Sequence, residues 1–260
     1  MIEYEYARTI EEELRHRLGA GAEDLHLRVF EEIDSTNTEA KRMVASGFEG
    51  AALIVAERQS AGRGRMGRSF FSPARTGAYF SVLYTPNEPL ANAVRITGAA
   101  SVAAMRAIRT LTGKQVGIKW VNDLYLKDRK VAGILAESVV SSEAVRVIVG
   151  IGINLCTEDF PEEIAAVAGS LHDVSLAPAA FIAETVRELM PYLINVDHRS
   201  WIEDYRTYST VIGKPIYWFK DDKKREGVAI EIDDDGALIV RGADGIEERL
   251  ATGEITVRLQ

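Results

Sequence analysis

The distribution of apolar, β-branched runs limits most strongly how this chain can fold. Short runs of this kind, bounded by polar or glycine-rich segments, are typical of strands. Between them lie longer segments whose apolar residues recur at helical spacing, one of them beginning with a proline suited to a first helical turn. The sequence therefore predicts a mixed α/β domain. The predicted strands are 27–33, 51–56, 78–84, 130–136 and 145–155, and the predicted helices are 38–45, 92–111 and 178–193.

The last part of the chain has a different character. After Gly213 the apolar segments become short, and turn sequences such as Asp-Asp-Asp-Gly and Ala-Asp-Gly separate them. Short strands joined by tight turns favour a small β-barrel. The predicted strands of this part are 215–219, 227–232, 237–241 and 255–259.

One helix is predicted before the first strand. Ile10, Leu14 and Leu18 lie on one face of such a helix. A helix-turn-helix DNA reader needs a second, recognition helix, so one helix is too little for such a reader.

Composition excludes several classes of protein. The 260 residues are 47% hydrophobic and 27% charged, and no apolar run approaches the roughly 20 residues of a membrane span. The first residues lack the features of a secretory signal or a transit peptide, so we expect a cytoplasmic protein without a membrane partner. The single cysteine, Cys156, excludes an internal disulfide and a cysteine metal cluster. The net charge of −8 argues against a general nucleic-acid partner.

The segment 59–68 carries the strongest chemical signal. Three glycines alternate with Arg63, Arg65 and Arg68 directly after a predicted strand. Glycine lets the backbone approach a ligand, and arginine binds phosphate or carboxylate oxygens in bidentate fashion. A flexible solvated loop or an RGG-like RNA-binding segment are the alternatives. RNA-binding segments of that type are usually repeated and disordered, whereas this one is a single copy in an acidic chain.

Two predicted antiparallel strands, 117–126 and 128–137, carry polar residues among apolar neighbours. Buried polar groups need partners, and lysines beside a carboxylate and a phosphate could stabilise charge that develops during attack on phosphorus. A structural ion pair between Asp123 and either lysine is the alternative. The polar residues are Lys119, Asn122, Asp123 and Lys130.

The segment 149–155 brings two glycines and Asn154 together. Its backbone can lie close to a ligand, and the asparagine amide can form two hydrogen bonds. The dinucleotide-binding fingerprint is not matched, because its third glycine and the following helix are missing.

Taken together, these segments resemble the biotin protein ligase family over about 27–259. The chain departs from the family at Phe70, where tryptophan is usual, and at Val121, where proline is usual. Phenylalanine keeps an aromatic face but loses the indole N–H donor, which affects nucleotide affinity rather than the type of reaction. The matching motifs are Ser-Thr-Asn at 35–37, the basic loop 59–68, Phe-Ser-Pro at 71–73, Lys-Trp-Val-Asn-Asp at 119–123, Lys-Val-Ala-Gly-Ile-Leu at 130–135, Gly-Ile-Gly-Ile-Asn at 150–154 and Gly-Glu at 253–254.

The resemblance implies an α+β fold with three parts. These are an N-terminal helical extension at 1–26, a catalytic domain at 27–210 with a mixed β-sheet packed with helices, and a C-terminal SH3-like β-barrel at 211–260. It implies the ligase-only type, without the DNA-binding domain of the bifunctional members. It also implies that biotin and ATP, with Mg²⁺, give biotinyl-5′-adenylate, from which biotin passes to a lysine of a biotin carboxyl carrier protein. A homodimer is compatible with the family.

The resemblance also assigns residues. The basic loop is expected to fold over the adenylate, and Lys130 to lie beside the carboxylate and the α-phosphate. The implied catalytic residues are Lys130, Arg65 and Asp123; the implied biotin-binding residues are Ser35, Thr36, Asn37, Gln59, Gly62, Arg63, Arg65, Lys130 and Gly133; the implied nucleotide-binding residues are Arg63, Arg68, Phe70, Lys119, Asn122, Lys130 and Asn154.

Two other functions stay open at this point. A lipoate protein ligase shares the core and the adenylation chemistry, although the Gly-Arg-Gly-Arg loop and the small C-terminal barrel favour biotin. A non-catalytic biotin-binding protein would keep the pocket without the reaction. Retention of Lys130, Arg63 and Arg65 argues against it.

Overall fold

A computed structural model describes residues 2–86, 93–140, 145–172, 177–195, 198–220, 223–251 and 255–257. Residue 92 of a predicted helix, the Gly-Glu motif at 253–254 and residues 258–259 of a predicted strand lie outside this part. The helices are α1 (Ile2–Leu18), α2 (Thr36–Ala45), α3 (Ala93–Thr112), α4 (Glu162–Ala165), α5 (Pro178–Ile194) and α6 (Ile202–Thr207). The strands are β1 (Leu25–Ile33), β2 (Ala51–Gln59), β3 (Gly77–Tyr84), β4 (Gly117–Lys119), β5 (Asp123–Leu126), β6 (Arg129–Val140), β7 (Val145–Asn154), β8 (Pro215–Lys220), β9 (Lys223–Ile232), β10 (Leu238–Gly242), β11 (Glu247–Leu250) and β12 (Ile255–Val257).

A seven-stranded mixed sheet forms the centre of the larger part, in the order β1-β2-β3-β7-β6-β5-β4. Strands β1 and β2 are parallel, and the other neighbouring pairs are antiparallel. The central strands β3 and β7 are buried on both faces, which explains why their sequences are largely apolar. The predicted α+β class with a mixed sheet is confirmed.

Helices cover both faces of this sheet. Helices α1, α3 and α5 pack on one face, where Leu53 and Val55 of β2 join the main core. Helix α2 packs on the other face, where Ala52 and Ile54 belong to a second cluster. The alternation along β2 follows from the two-residue period of a strand. No helix among the described residues is long and apolar enough to cross a membrane.

The predicted N-terminal helix is present as α1. Ile10 and Leu14 are buried in the main core, and Leu18 is partly buried against it. Arg17 anchors the helix to α5, because its Nη1 atom donates to Glu184 Oε2 at 2.7 Å. The extension is thus packed into the larger part of the molecule.

The C-terminal strands form a five-stranded antiparallel sheet in the order β11-β10-β9-β8-β12. Its edge strands β11 and β12 are not paired with each other within the described ranges, so the predicted barrel is not closed by hydrogen bonds there. Four arginines surround the acidic turn 233–236 that follows β9. The ion pairs join Arg95 and Arg199 to Asp235, Arg206 to Asp234, and Arg249 to Asp233 and Asp235.

Two local predictions need correction. The segment 117–126 is not one strand, because a turn at 120–122 separates β4 from β5, which then pair as a hairpin. Helix α2 begins at Thr36 rather than at 38. Ser35 occupies the N-cap position, but its side chain makes no capping hydrogen bond. Thr36 and Asn37 therefore lie in the first helical turn, and their side chains form hydrogen bonds with residues of other strands.

Candidate active site

Glycines on β6 and β7 leave room for a cleft above the sheet. Gly133 pairs with Gly152, and both lie on the face that α2 covers, as does Gly150. A Cβ atom on Gly150 would come within 2.0 Å of Asn37 Oδ1. A Cβ atom on Gly152 would come within 2.5 Å of Cε1 in the Phe70 ring. The glycines thus form the floor of the cleft. Asn37 of α2 and Phe70 at the end of the basic loop pack directly against it.

Hydroxyl and amide groups form a hydrogen-bonded wall at the α2 end of the cleft. The backbone N–H of Thr36 donates to Gln59 Oε1 at 2.9 Å, and Gln59 Nε2 donates to Ser72 Oγ at 2.9 Å. The buried Ser81 hydroxyl donates to Asn37 Oδ1 at 2.6 Å. Ser35 Oγ is buried and has no hydrogen-bond partner among the described residues. This hydroxyl lines the cleft, so it can bind a ligand without breaking an existing bond.

A carboxylate supports this wall from behind. Asn37 Nδ2 donates to Glu137 Oε2 at 2.9 Å, and Lys41 Nζ lies 2.7 Å from Glu137 Oε1. Arg63 of the basic loop lies 3.5 Å from the same oxygen. Burial raises the pKa of Glu137, but hydrogen bonds from Asn37 and Lys41 outweigh it and keep the pKa below its ordinary value. Glu137 is therefore ionised near neutral pH.

The basic loop is folded back on itself. Phe70 N–H donates to Gly62 O at 2.9 Å, and Gly64 N–H donates to Arg68 O at 2.7 Å. Met66, at the tip, has a positive φ of 53° and is 73% exposed. Arg65 Nη1 reaches across to Asn122 Oδ1 at 3.3 Å. These contacts argue against the alternative of an unstructured solvated loop, and they turn the arginines toward the cleft.

An ion pair occupies the other end of the cleft. Lys130 Nζ lies 2.7 Å from Asp123 Oδ1 and 6.0 Å from the centre of the Phe70 ring. Asn122 Nδ2 donates to Ile134 O at 2.9 Å, which fixes the turn before Asp123. The peptide bond between Trp120 and Val121, where the family usually has proline, is cis. A cation, a carboxylate and an aromatic face thus meet at one point, next to the basic loop.

Most of the residues that the sequence nominates come together in this cleft. Gly62 lies just behind it, since a Cβ atom there would come within 2.3 Å of Phe70 O. Lys119 and Asn154 are not brought to it: Lys119 Nζ lies 5.5 Å from the centre of the Tyr125 ring, and Asn154 Nδ2 donates to Gly169 O. Their predicted nucleotide contacts stay predictions. The nominated residues that line the cleft are Ser35, Thr36, Asn37, Gln59, Arg63, Arg65, Arg68, Phe70, Asn122, Asp123, Lys130 and Gly133.

Some side chains that support the cleft were not nominated from the sequence, among them Ser72, Ser81 and Glu137. Ser72 lies inside the Phe-Ser-Pro motif. Ser81 is the one serine of the largely apolar strand β3, a pattern that signals a buried hydrogen bond. Glu137 follows the Lys-Val-Ala-Gly-Ile-Leu motif by two residues. Its role depends on Asn37, which lies 100 residues away in sequence.

Within the described ranges, no group of three or more His, Cys, Asp or Glu residues is placed to hold a metal ion. Asp123 is the only carboxylate among the described residues that line the cleft. Magnesium commonly binds proteins through one or two carboxylates together with substrate phosphates. The cleft therefore suits Mg²⁺ that arrives with a nucleotide.

Comparison with known proteins agrees with this geometry. Residues 29–154 match the model of the biotin/lipoate A/B protein ligase family, and residues 211–258 match the biotin protein ligase C terminal domain. The biotin--[acetyl-CoA-carboxylase] ligase of Paracoccus denitrificans is 35% identical over 82% of this chain and 92% of its own length. The bifunctional ligase/repressor BirA of Bacillus spizizenii is 31% identical over 92% of this chain and 76% of its own length.

A solved structure gives the same result. The biotin protein ligase of Aquifex aeolicus in complex with biotin and ATP superposes with a TM-score of 0.76 and 26% identity, over 90% of this chain and 99% of that one. The sequence matches cover the strands and loops that build the cleft. The chain therefore belongs to the biotin protein ligases, enzymes of the biotin/lipoate A/B protein ligase family.

Proposed function

We propose that this chain forms biotinyl-5′-adenylate from biotin and ATP and then transfers biotin to a lysine of a biotin carboxyl carrier protein. One observation supports this most directly: the cleft joins a wall of uncharged hydrogen-bonding groups to a cation–carboxylate pair, with the basic loop between them. Such a cleft can bind a neutral ring at its uncharged wall and a reacting carboxylate at its charged end.

The uncharged wall suits the head of biotin. A ureido group offers one acceptor and two donors, and the hydroxyls and amides of the wall can supply both types of partner. The hydroxyl of Ser35 is buried without a partner among the described residues, so it is available to the ring. We assign the biotin head to Ser35, Thr36, Asn37 and Gln59, with the backbone near Gly62 and Arg63.

The charged end suits the first chemical step. The biotin carboxylate attacks the α-phosphorus of ATP, a phosphorus–oxygen bond forms, and pyrophosphate leaves with the bonding electrons. Negative charge grows on the phosphoryl oxygens, where Lys130 and the loop arginines can stabilise it. We place the nucleotide near Arg68, Phe70 and Asn122. Mg²⁺ supplies further charge neutralisation when it binds with ATP.

In the second step the carrier lysine attacks the acyl carbon of the mixed anhydride, an amide forms and AMP leaves. The attacking amine must be neutral and must lose a proton. We assign Asp123 to orient this amine and to accept its proton, although its pairing with Lys130 also fits a structural role. Closure of the basic loop would exclude water, which would otherwise hydrolyse the anhydride.

Biotin-dependent exchange of labelled pyrophosphate into ATP tests the first step without a carrier. Parallel reactions contain lipoate or octanoate in place of biotin. We expect exchange with biotin alone. Exchange only with lipoate would assign the chain to lipoate ligation, and no exchange despite biotin binding would assign it to a non-catalytic binding protein.

The second step is tested with labelled biotin and an isolated biotin carrier domain. We expect incorporation that depends on ATP and on the acceptor lysine of the carrier. Exchange without transfer to the carrier domain would contradict the proposed acceptor. A homodimer and the absence of operator binding stay predictions, for which light scattering and a gel-shift assay are the direct measurements.

A further inference from the structure

We propose that Glu137 is a positioning residue that sets the direction of the hydrogen bonds on the biotin side of the cleft. The proposal rests on the proposed function, because it takes biotin as the ligand at that end. Glu137 does not itself line the cleft. It acts through Asn37 and Arg63, both of which line it.

The first step concerns the orientation of the Asn37 amide. An ionised carboxylate can only accept hydrogen bonds, so Asn37 must turn its NH₂ group toward Glu137. Its oxygen then faces Ser81, whose hydroxyl donates to it at 2.6 Å. A reversed amide would place two acceptors against each other at Glu137. Leu135 O, which lies 3.4 Å from Asn37 Nδ2, favours the same orientation, but the shorter bond of 2.9 Å goes to Glu137. Glu137 is therefore the stronger of the two groups that fix which atom Asn37 offers to the wall.

The second step concerns how the orientation of the Asn37 amide affects the hydrogen bonds of Thr36, which lines the cleft. Ser81 Oγ also lies 2.7 Å from Thr36 Oγ1, so Asn37 and Thr36 compete for the one hydrogen of the Ser81 hydroxyl. The Thr36 hydroxyl donates onward to Gln59 Oε1 at 3.2 Å. If Asn37 reversed, its NH₂ would donate to Ser81 Oγ, and the Ser81 hydrogen would go to Thr36 alone. Thr36 Oγ1 would then have less capacity to accept a hydrogen bond from a ligand.

The third step concerns the loop. Arg63 and Lys41 both approach Glu137 Oε1, at 3.5 Å and 2.7 Å. Glu137 thus joins helix α2 to the basic loop across the strand β6. The two cations also keep the carboxylate oxygen in place. Both walls of the biotin end depend on this one side chain.

Glu137→Gln is the informative substitution, because it keeps the shape and changes the donor pattern. Lys41 and Arg63 would retain the single oxygen of the glutamine, which leaves its NH₂ group facing Asn37. Asn37 would then have to reverse. We expect biotin to bind about tenfold more weakly, equivalent to about 1.4 kcal/mol. The KM for ATP should stay within about twofold of the wild-type value, a split that general damage to the fold would not produce.

A double variant distinguishes a change in hydrogen-bond direction from general damage to the fold. In the double variant Asn37→Asp with Glu137→Gln, the carboxylate introduced on α2 accepts from the amide introduced on β6 on one side and from Ser81 on the other. The original direction at Ser81 is restored, so the double variant should bind biotin more tightly than Glu137→Gln does. Asn37→Asp alone should bind weakly, because two carboxylates would then face each other. Glu163→Gln is the matched control: it makes the same change at an exposed acid on α4, outside the cleft, and biotin affinity should change less than about twofold.

Isothermal titration calorimetry with biotin alone gives these affinities without any chemical step. Thermal unfolding of each variant shows that the fold is retained. An unchanged affinity for Glu137→Gln, equal losses for biotin and ATP, or a double variant no better than Glu137→Gln would each overturn the proposal. Failure of pyrophosphate exchange in a wild-type protein that binds biotin would instead overturn the proposed function and leave this test intact. A wild-type protein that does not bind biotin would overturn both.

Discussion

Lys130 and Asp123 form an ion pair across the β5–β6 hairpin, with 2.7 Å between Nζ and Oδ1. The lysine side chain is 29% exposed and the aspartate side chain 23% exposed, so both remain accessible to a ligand in the cleft. The pairing holds the lysine ammonium group in position before ATP binds. The hairpin therefore presents a cation that needs little reorganisation during the reaction.

Lys130→Ala should slow adenylate formation greatly while the fold is kept. The substitution removes stabilisation of the transition state of about 2–4 kcal/mol, or about 30-fold to 900-fold in rate. Single-turnover formation of biotinyl-adenylate measures the effect. Lys127→Asn is the control, because Lys127 lies on the same hairpin at a positive φ of 56°, which asparagine tolerates. A variant Lys130→Ala with near-normal turnover would reject the role.

Asp123→Asn should impair transfer to the carrier more than it impairs pyrophosphate exchange. The amide cannot accept the proton of the attacking amine, whereas Lys130 keeps its charge without the aspartate. Rates of both half-reactions, measured on one preparation, give the comparison. Asp128→Asn, an exposed carboxylate on the same hairpin, should change neither rate. Equal losses in the two half-reactions would favour the structural ion pair.

Arg65→Ala should weaken retention of the adenylate. Arg65 joins the loop to Asn122 through a hydrogen bond of 3.3 Å, and its loss would leave the cleft open more often. The expected result is faster release of biotinyl-adenylate and increased labelling of lysines on bystander proteins. Arg58→Ala serves as the control, since Arg58 pairs with the exposed Glu32 on the surface. Release of biotinyl-adenylate at the wild-type rate would contradict a role of Arg65 in retaining the intermediate.

Two glycines on one strand should separate biotin binding from nucleotide binding. Gly150→Ala would displace Asn37 and should raise the KM for biotin by about tenfold. Gly152→Ala would displace the Phe70 ring and should raise the KM for ATP by a similar factor. The two variants are controls for each other. Parallel increases of both constants in both variants would show that the cleft responds as a whole.

The contact between α1 and α5 should make stability depend on acid pH. Burial raises the pKa of Glu184, but hydrogen bonds from Arg187 and Arg17 outweigh it, so the pKa lies below its ordinary value. A carboxyl with a lowered pKa in the folded state contributes stability above its unfolded pKa, and this contribution is lost as the pH falls through the folded pKa.

Glu184→Gln should therefore lower the free energy of unfolding by about 1–3 kcal/mol at pH 7. The difference from wild type should shrink below about pH 4, near the ordinary carboxyl pKa. Urea denaturation at several pH values measures it. Glu163→Gln, which changes an exposed acid on α4, should have little effect at any pH. A difference that does not vary with pH would contradict the ionic contribution.

The sequence predicts those parts of the molecule whose interactions are local. The strands were predictable because β2, β3 and β7 are apolar runs, and Lys130 was predictable because it opens a motif. Ser81 and Glu137 were not, since their common partner, Asn37, lies 44 and 100 residues away. The turn between β4 and β5 was also missed, because its residues Trp120 and Val121 are buried and apolar like those of a strand.

The indole N–H of Trp120 donates to Gly236 O at 3.0 Å, a bond that joins the turn before Asp123 to the C-terminal sheet. The acidic turn that contains Gly236 is held in addition by Arg95, Arg199 and Arg206 from the larger part of the chain. Sequence character changes near residue 211, but hydrogen bonds and ion pairs join the two parts of the chain across this boundary. A chain cut at this point would lose the hydrogen bond that supports the turn before Asp123, so we expect the reacting end of the cleft to need the small sheet.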